Sequence, residues 1–102
     1  MPFNNLAYAG ERREHRDEVH HRTSAITPDG RELPVVIVNT SLNGLMARCD
    51  MPVEPGARLR FRLPDIALIA EVRWALGGRI GCEFERSIAP SDYAALLPRL
   101  AR

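Results

Sequence analysis

The stretch VVIVNTSLNGLMARC, residues 35–49, places two apolar runs on either side of a polar segment. The first run is nearly continuous in β-branched residues, and in the second Leu45, Ala47 and Cys49 alternate with longer or charged side chains. Both patterns are typical of β-strands. The Asn, Ser and Gly residues between them favour a turn. The stretch therefore predicts two consecutive strands joined by a tight connection.

The same pattern continues in both directions along the chain. The other strand candidates are residues 19–26, 58–63, 66–74 and 79–84, separated by Pro- and Gly-containing turns. Alternation is complete in RLRFRL, residues 58–63. In residues 66–74, alternation predicts that Trp74 shares an apolar face with Ile66 and Val72. Six short strands, each with one apolar face, predict a mainly all-β fold, a small six-stranded antiparallel β-barrel or closed sandwich. Closure of the barrel would remove exposed strand edges.

The two ends of the chain have different patterns. Tyr93, Leu96, Leu97 and Leu100 lie at helical spacing, which predicts a short C-terminal α-helix that starts at Pro90. Since Pro98 lacks a backbone donor, we expect the regular helix to stop near Leu97. Residues 1–10 have no periodicity and are predicted to form a flexible N-terminal arm before a single domain over residues 11–102.

Composition restricts the class of protein. The chain has 102 residues, of which 45% are hydrophobic and 26% charged, as in one compact soluble domain. Its apolar runs are far shorter than the roughly 20 residues of a membrane span, and no signal peptide is recognisable, so we expect a cytoplasmic protein without a membrane partner. Cys49 and Cys82 lie in strand patterns and are expected to be buried reduced thiols. A formal net charge of +1 argues against general nucleic-acid binding.

Motifs of enzymes are missing from the sequence. There is no Gly-rich phosphate loop leading into a helix, no Gly-x-Ser-x-Gly, no Cys-x-x-Cys and no His-Glu-x-x-His. His20 and His21 are adjacent, so on a strand they would point to opposite faces rather than share a metal ion. We therefore expect neither catalysis nor a metal site.

Two polar clusters remain, and both lie at ends of predicted strands. The first contains the spacing Arg-x-x-x-Arg and the second Asn-x-Ser-x-x-Gly; their residues are Arg12, Arg13 and Arg16, and Asn39, Ser41 and Gly44. This combination resembles the PilZ domain family, whose signature is Arg-x-x-x-Arg followed by [Asp/Asn]-x-Ser-x-x-Gly. The strand order, the closing Gly81-Cys82-Glu83-Phe84 and the C-terminal helix are similar as well, over roughly residues 11–100.

The resemblance implies a receptor for the bacterial second messenger cyclic di-GMP, which has two guanines and two phosphates. An arginine can fork onto a phosphate or onto guanine O6 and N7, which suits Arg12, Arg13 and Arg16. Asn39 would meet the Watson–Crick edge of guanine and Ser41 the base or a phosphate, both from the outside of the barrel. Gly44 is expected to take a backbone angle that lets the next strand start.

The implied function is that of a single-domain receptor without a cofactor, which binds cyclic di-GMP between its arm and the barrel. Ordering of the arm would relay the signal to a partner protein. Asp17 is a departure from the family pattern. If Arg13 were the first arginine of the motif, position 17 would have to be the second, and it is an acid. The Asp17 carboxylate is expected to pair with Arg13 or Arg16 and so compete with the ligand. The alternatives are a PilZ-like adaptor that binds no nucleotide and a small nucleic-acid-binding barrel. Ligand stoichiometry and oligomeric state stay open.

Overall fold

The computed structural model describes residues 15–100, so the predicted arm and the predicted site residues Arg12 and Arg13 lie outside the described residues. The strands are β1 (Asp17–Ile26), β2 (Glu32–Thr40), β3 (Gly44–Arg48), β4 (Arg58–Leu63), β5 (Ile66–Leu76) and β6 (Arg79–Phe84), followed by helix α1 (Pro90–Leu100).

The six strands form a closed antiparallel barrel in the order β1-β2-β3-β6-β5-β4. Closure occurs between β1 and β4, where Ala25 pairs with Phe61 and Ile26 with Arg60. The predicted fold, an antiparallel six-stranded barrel with a short C-terminal helix, is thus confirmed. The prediction did not name the second neighbour of β3, which the structure shows to be β6.

Alternation along each strand fills the interior of the barrel. In β4, Leu59, Phe61 and Leu63 are buried, while the three arginines between them are exposed. Helix α1 adds Leu96 and Leu100 to the same core. Burial of a large apolar side chain contributes about 1.5–3 kcal/mol to stability, so these strand faces account for much of the driving force. Both cysteines are buried and unpaired as predicted, and burial, followed by the nearby Cys49, raises the pKa of the Cys82 thiol to about 12.

The predicted end of the helix near Leu97 is wrong, because α1 continues through Pro98 to Leu100. A proline in the last turn removes only one backbone bond, to the carbonyl group of Ala94. Leu100 is buried against the core in return, and that apolar contact offsets the missing hydrogen bond.

The barrel contains three register shifts of the kind produced by β-bulges. They lie between Glu18 and His21 on β1, between Ile37 and Asn39 on β2, and between Val72 and Trp74 on β5. A bulge inserts an extra residue into one strand, so the residues that follow it face the opposite side from that set by simple alternation. The last two shifts re-aim Asn39 and Trp74.

The prediction that Trp74 belongs to the core is wrong for this reason. Two steps along β5, from Val72 to Trp74, match one step along β6, from Cys82 to Gly81. Val72 stays inside at 0% exposure, whereas Trp74 lies on the outer surface with 41% exposed. Ile66, expected on the same inner face, is also exposed.

Candidate functional site

A groove of about 480 Å³ runs over the outer surface of β3, β6 and β5 and reaches the residue before β1. We call it the Trp74 groove. It is lined by Arg16, Asn43, Gly44, Leu45, Met46, Arg73, Trp74, Gly81, Cys82 and Glu83. The groove therefore brings Arg16 of the first polar cluster close to Gly44 of the second polar cluster.

Four neighbouring strands contribute one row of residues to the groove and its edge. Asn39 on β2 pairs with Met46 on β3, Met46 with Gly81 on β6, and Gly81 with Trp74 on β5. Residues that pair directly lie side by side on the same face of a sheet. Both ends of this row, Asn39 and Trp74, follow a register shift, so the two bulges together bring an amide and an indole to one surface.

The two polar motifs meet through a direct hydrogen bond. Arg16 Nε donates to Asn39 Oδ1 at 3.0 Å, although 23 positions separate the residues in sequence. The amide of Asn39 also donates from Nδ2 to the sulfur of Met46 at 3.7 Å. Asn39 thereby fixes the position of the Arg16 side chain against the wall of the groove.

Ser41 does not face outward as expected, since it is fully buried with 0% exposure. Its Oγ accepts a hydrogen bond from the backbone N–H of Asn43 at 3.2 Å, while its own N–H donates to the carbonyl of Gly44 at 2.9 Å. Thr40 Oγ1 donates to the same carbonyl at 3.0 Å. The serine thus shapes the turn, as serine side chains often do by bonding nearby backbone groups.

Hydrogen bonds attach this turn to β6 and to the segment after it. The N–H of Phe84 donates to the carbonyl of Asn43 and that of Ile88 to the carbonyl of Leu42, each at 2.8 Å. Ser87 Oγ donates to the side chain of Asn43. These bonds fix the edge of the groove to the part of the chain that leads into α1.

Gly44 is required for a reason other than the one expected. Its φ is not in the positive range, where Gly30, Gly56, Gly77 and Gly78 lie. Instead, a Cβ at this position would lie 2.2 Å from the backbone oxygen of Cys82, so close approach of β3 and β6 demands glycine. At Gly81 a Cβ would lie 2.2 Å from Trp74 Nε1, because the indole ring lies across that glycine.

Two arginines line the groove, Arg16 and Arg73. Arg73 lies 3.3 Å from Glu83 and 3.6 Å from Glu71, so carboxylates balance its charge. Arg16 is hydrogen-bonded to the neutral amide of Asn39. The groove therefore combines the guanidinium of Arg16 with an exposed indole face, and both suit a planar anionic molecule.

Among the described residues, the Asp17 carboxylate bonds to Tyr93 and His15, while Arg13, one of its expected partners, lies outside them. Oδ2 accepts a 2.5 Å hydrogen bond from Tyr93 Oη on α1, and Oδ1 lies 2.8 Å from His15 Nε2. Tyr93 also donates to the carbonyl of Thr40 at 3.1 Å. The bond from Tyr93 is the main cause that lowers the pKa of Asp17 below its ordinary value, with a smaller effect of His15. The helix is thereby connected to the first residue of β1 and to the end of β2.

We expect the Tyr93→Phe variant to lower the free energy of unfolding at pH 7 by about 1.5 kcal/mol, since one hydrogen bond to an ionised group is lost. A lowered carboxyl pKa contributes stability above the ordinary value of 3.8, and that contribution disappears as the pH falls through the folded-state pKa. The difference between wild type and variant should therefore be smaller at a pH well below 3.8 than at pH 7. Urea unfolding at both pH values measures it. An equal difference at both would attribute the cost to the lost contact between the hydroxyl and the carbonyl of Thr40, which does not titrate, and would contradict the assignment.

The structure brings Arg16, Asn39 and Gly44 together at this groove and places Ser41 beneath the turn. Several residues of the groove were not singled out from the sequence for such a site, among them Met46, Arg73 and Gly81. A signal was present for Gly81, because a glycine inside a strand often marks a close approach of another group. Trp74 was assigned to the core because alternation alone does not reveal a bulge.

Comparison with protein families assigns the fold. The model of the PilZ domain matches residues 11–101, nearly the whole chain. This chain belongs to the PilZ domain family. No match was found among curated proteins. PilZ domains are known as cyclic di-GMP-binding domains that act as receptors or adaptors rather than as enzymes.

Other features of the described residues complete the description of this PilZ domain. Within residues 15–100, no three His, Cys, Asp or Glu side chains are grouped so that they could hold a metal ion. In the same part of the chain, no helix is long and apolar enough to cross a membrane.

Proposed function

We propose that this PilZ domain binds cyclic di-GMP in the Trp74 groove and relays the signal to a partner protein. Arg16 would fork onto a phosphate or a guanine edge, and Asn39 would hold Arg16 in place and offer its amide to the ligand. Ser41 and Gly44 would act by shaping the turn at the edge of the groove. The segment between the arm and β1 would supply Arg12 and Arg13, and ordering of the arm over the ligand would change the surface that a partner meets.

The observation that carries the proposal is the convergence of Arg16, Asn39 and Trp74 on one surface. The three residues come from three separate parts of the chain, and two of them are re-aimed by bulges. Bulges are frequent next to functional sites, where they direct a side chain to a ligand. Stacking of a base on an aromatic ring contributes about 1–3 kcal/mol, and the exposed indole offers such a face to guanine.

The test is a titration of the purified chain with cyclic di-GMP, followed both by calorimetry and by tryptophan fluorescence. The sequence contains one tryptophan, so the fluorescence signal reports on Trp74 alone. We expect saturable heat and a change in emission with the same midpoint, and no response to GTP at equal concentration. Heat without a fluorescence change would place the ligand away from Trp74. A folded chain that gives no heat would overturn the proposal and leave the adaptor that binds no nucleotide.

A further inference from the structure

The outside of the barrel carries a row of arginines on three strands, next to the Trp74 groove. Arg22 on β1 pairs with Val36 on β2, Val36 with Arg48 on β3, and Arg48 with Arg79 on β6. All three arginines are exposed. We call Arg22, Arg48 and Arg79 the arginine rung. Since neighbouring strands lie about 5 Å apart, the rung is a compact stripe of positive charge across the sheet.

The rung differs from most other arginines of the described chain because it has no carboxylate partner there. Arg58, Arg62 and Arg73 each form an ion pair with a glutamate. Within residues 15–100, none of the three rung arginines has an acidic group within ion-pair distance. The charge of the rung is therefore available to an external group.

Leaving the rung unpaired costs stability. Arg48 and Arg79 are directly opposite each other on antiparallel strands, and like charges in that arrangement repel. Arg79 also pairs with Leu76, whose side chain is 79% exposed, the largest exposed fraction among the large apolar residues of the described chain. An anionic group with an apolar neighbour would relieve both costs at once.

We infer that the arginine rung is the docking surface for an acidic segment of a partner protein. Carboxylates of that segment bind Arg22, Arg48 and Arg79, and an adjacent apolar side chain covers Leu76. A protein fits better than a nucleic acid, because the apolar Leu76 continues the rung and the formal net charge of the whole chain is only +1.

The position of the rung gives the docking surface a place in signalling. Arg48 follows Met46 by two residues on β3, and Arg79 precedes Gly81 by two on β6, so the rung lies about 7 Å along the strands from the row that lines the groove. The inference deepens the proposed function and rests on it, because cyclic di-GMP in the groove is the signal that the partner would detect. A ligand in the groove would lie beside the bound partner segment.

The experiment measures fluorescence anisotropy of a labelled peptide made of three Glu-Leu-Glu-Glu repeats. The double variant Arg48→Gln/Arg79→Gln removes two charges from the rung. The matched control Arg60→Gln/Arg86→Gln removes two exposed arginines, from β4 and from the segment after β6. Like the rung, they have no acidic group within ion-pair distance in residues 15–100. We expect wild type and control to bind the peptide alike, and the rung variant to bind at least about fivefold more weakly because two charge-assisted contacts are lost.

Several results would overturn the inference: no binding of the peptide to wild type, an equal loss in both double variants, or tighter binding of an oligothymidylate of the same length. The rung variant should melt at or above the wild-type temperature, since it removes the repulsion between Arg48 and Arg79. A clearly lower melting temperature would contradict that repulsion.

Cyclic di-GMP titrations of the same proteins separate this inference from the proposed function. The rung residues do not line the groove, so the rung variant should bind the nucleotide as wild type does if the proposed function is right. Peptide binding that depends on the rung in a chain that binds no cyclic di-GMP would support the docking surface and reject the nucleotide site. Nucleotide binding without peptide binding would support the nucleotide site and reject the docking surface.

Discussion

We expect the Arg16→Ala variant to bind cyclic di-GMP at least about tenfold more weakly than the wild-type chain. A charge-assisted hydrogen bond contributes about 1.5–3 kcal/mol, and about 1.4 kcal/mol corresponds to a factor of ten in affinity. The substitution also removes the 3.0 Å bond to Asn39, so the amide loses a partner that fixes its orientation. Calorimetric titration of both proteins gives the ratio of dissociation constants.

Arg60→Ala is the matched control for this prediction. Arg60 is an exposed arginine on β4, and its removal changes the net charge equally at a site that does not line the groove. Its affinity should stay within about twofold of wild type, because exposed charges at a distance are screened by salt. Arg12→Ala extends the comparison to the other arginine of the Arg-x-x-x-Arg motif and should also weaken binding. Equal weakening by Arg16→Ala and Arg60→Ala would show that general charge accounts for binding, and the site assignment would then be wrong.

The Gly44→Ala variant should destabilise the barrel by at least about 2 kcal/mol, at the upper end of the cost of overpacking. The new Cβ would lie 2.2 Å from the backbone oxygen of Cys82, and neither backbone can move without breaking the pairing of β3 with β6. Denaturation in urea, followed by circular dichroism, measures the loss as a lower transition midpoint.

Gly81→Ala is the informative comparison, since its Cβ meets Trp74 at an equally short 2.2 Å. Here the obstacle is a side chain at the surface, which can turn away into solvent. We expect a cost below about 1 kcal/mol, in the usual range of surface substitutions, together with a red shift of the Trp74 emission as the ring becomes more exposed. If the two variants lost the same stability, the distinction between a backbone and a side-chain obstacle would fail.

The sequence was a good guide to the elements of this fold and a poor guide to the orientation of single residues near the groove. All six strands and the helix were predicted, because alternation with period two and apolar spacing with period 3.6 are local properties. Trp74 was misplaced because one inserted residue on β5 reverses the face, and only pairing with β6 reveals that insertion. Ser41 was misplaced because its burial depends on a turn packed against the segment after β6.

The two motifs illustrate the same division. Spacing predicted Arg16 and Asn39 as members of the PilZ signature, and the family model matches the chain over residues 11–101. It did not show that the two side chains would bond to each other, nor that Tyr93 of the C-terminal helix would bind Asp17 beside them. Such contacts join residues that are far apart along the chain, and closure of the barrel creates them.

The sequence by itself determined the fold class, the family and the ends of the barrel where the polar motifs lie. Only the tertiary structure decided that Trp74 faces outward, that close packing rather than a special backbone angle requires Gly44, and that three arginines form one rung. The physical reason is the range of the interactions: apolar periodicity is encoded within each strand, whereas the register between strands depends on neighbours that the chain reaches only by folding.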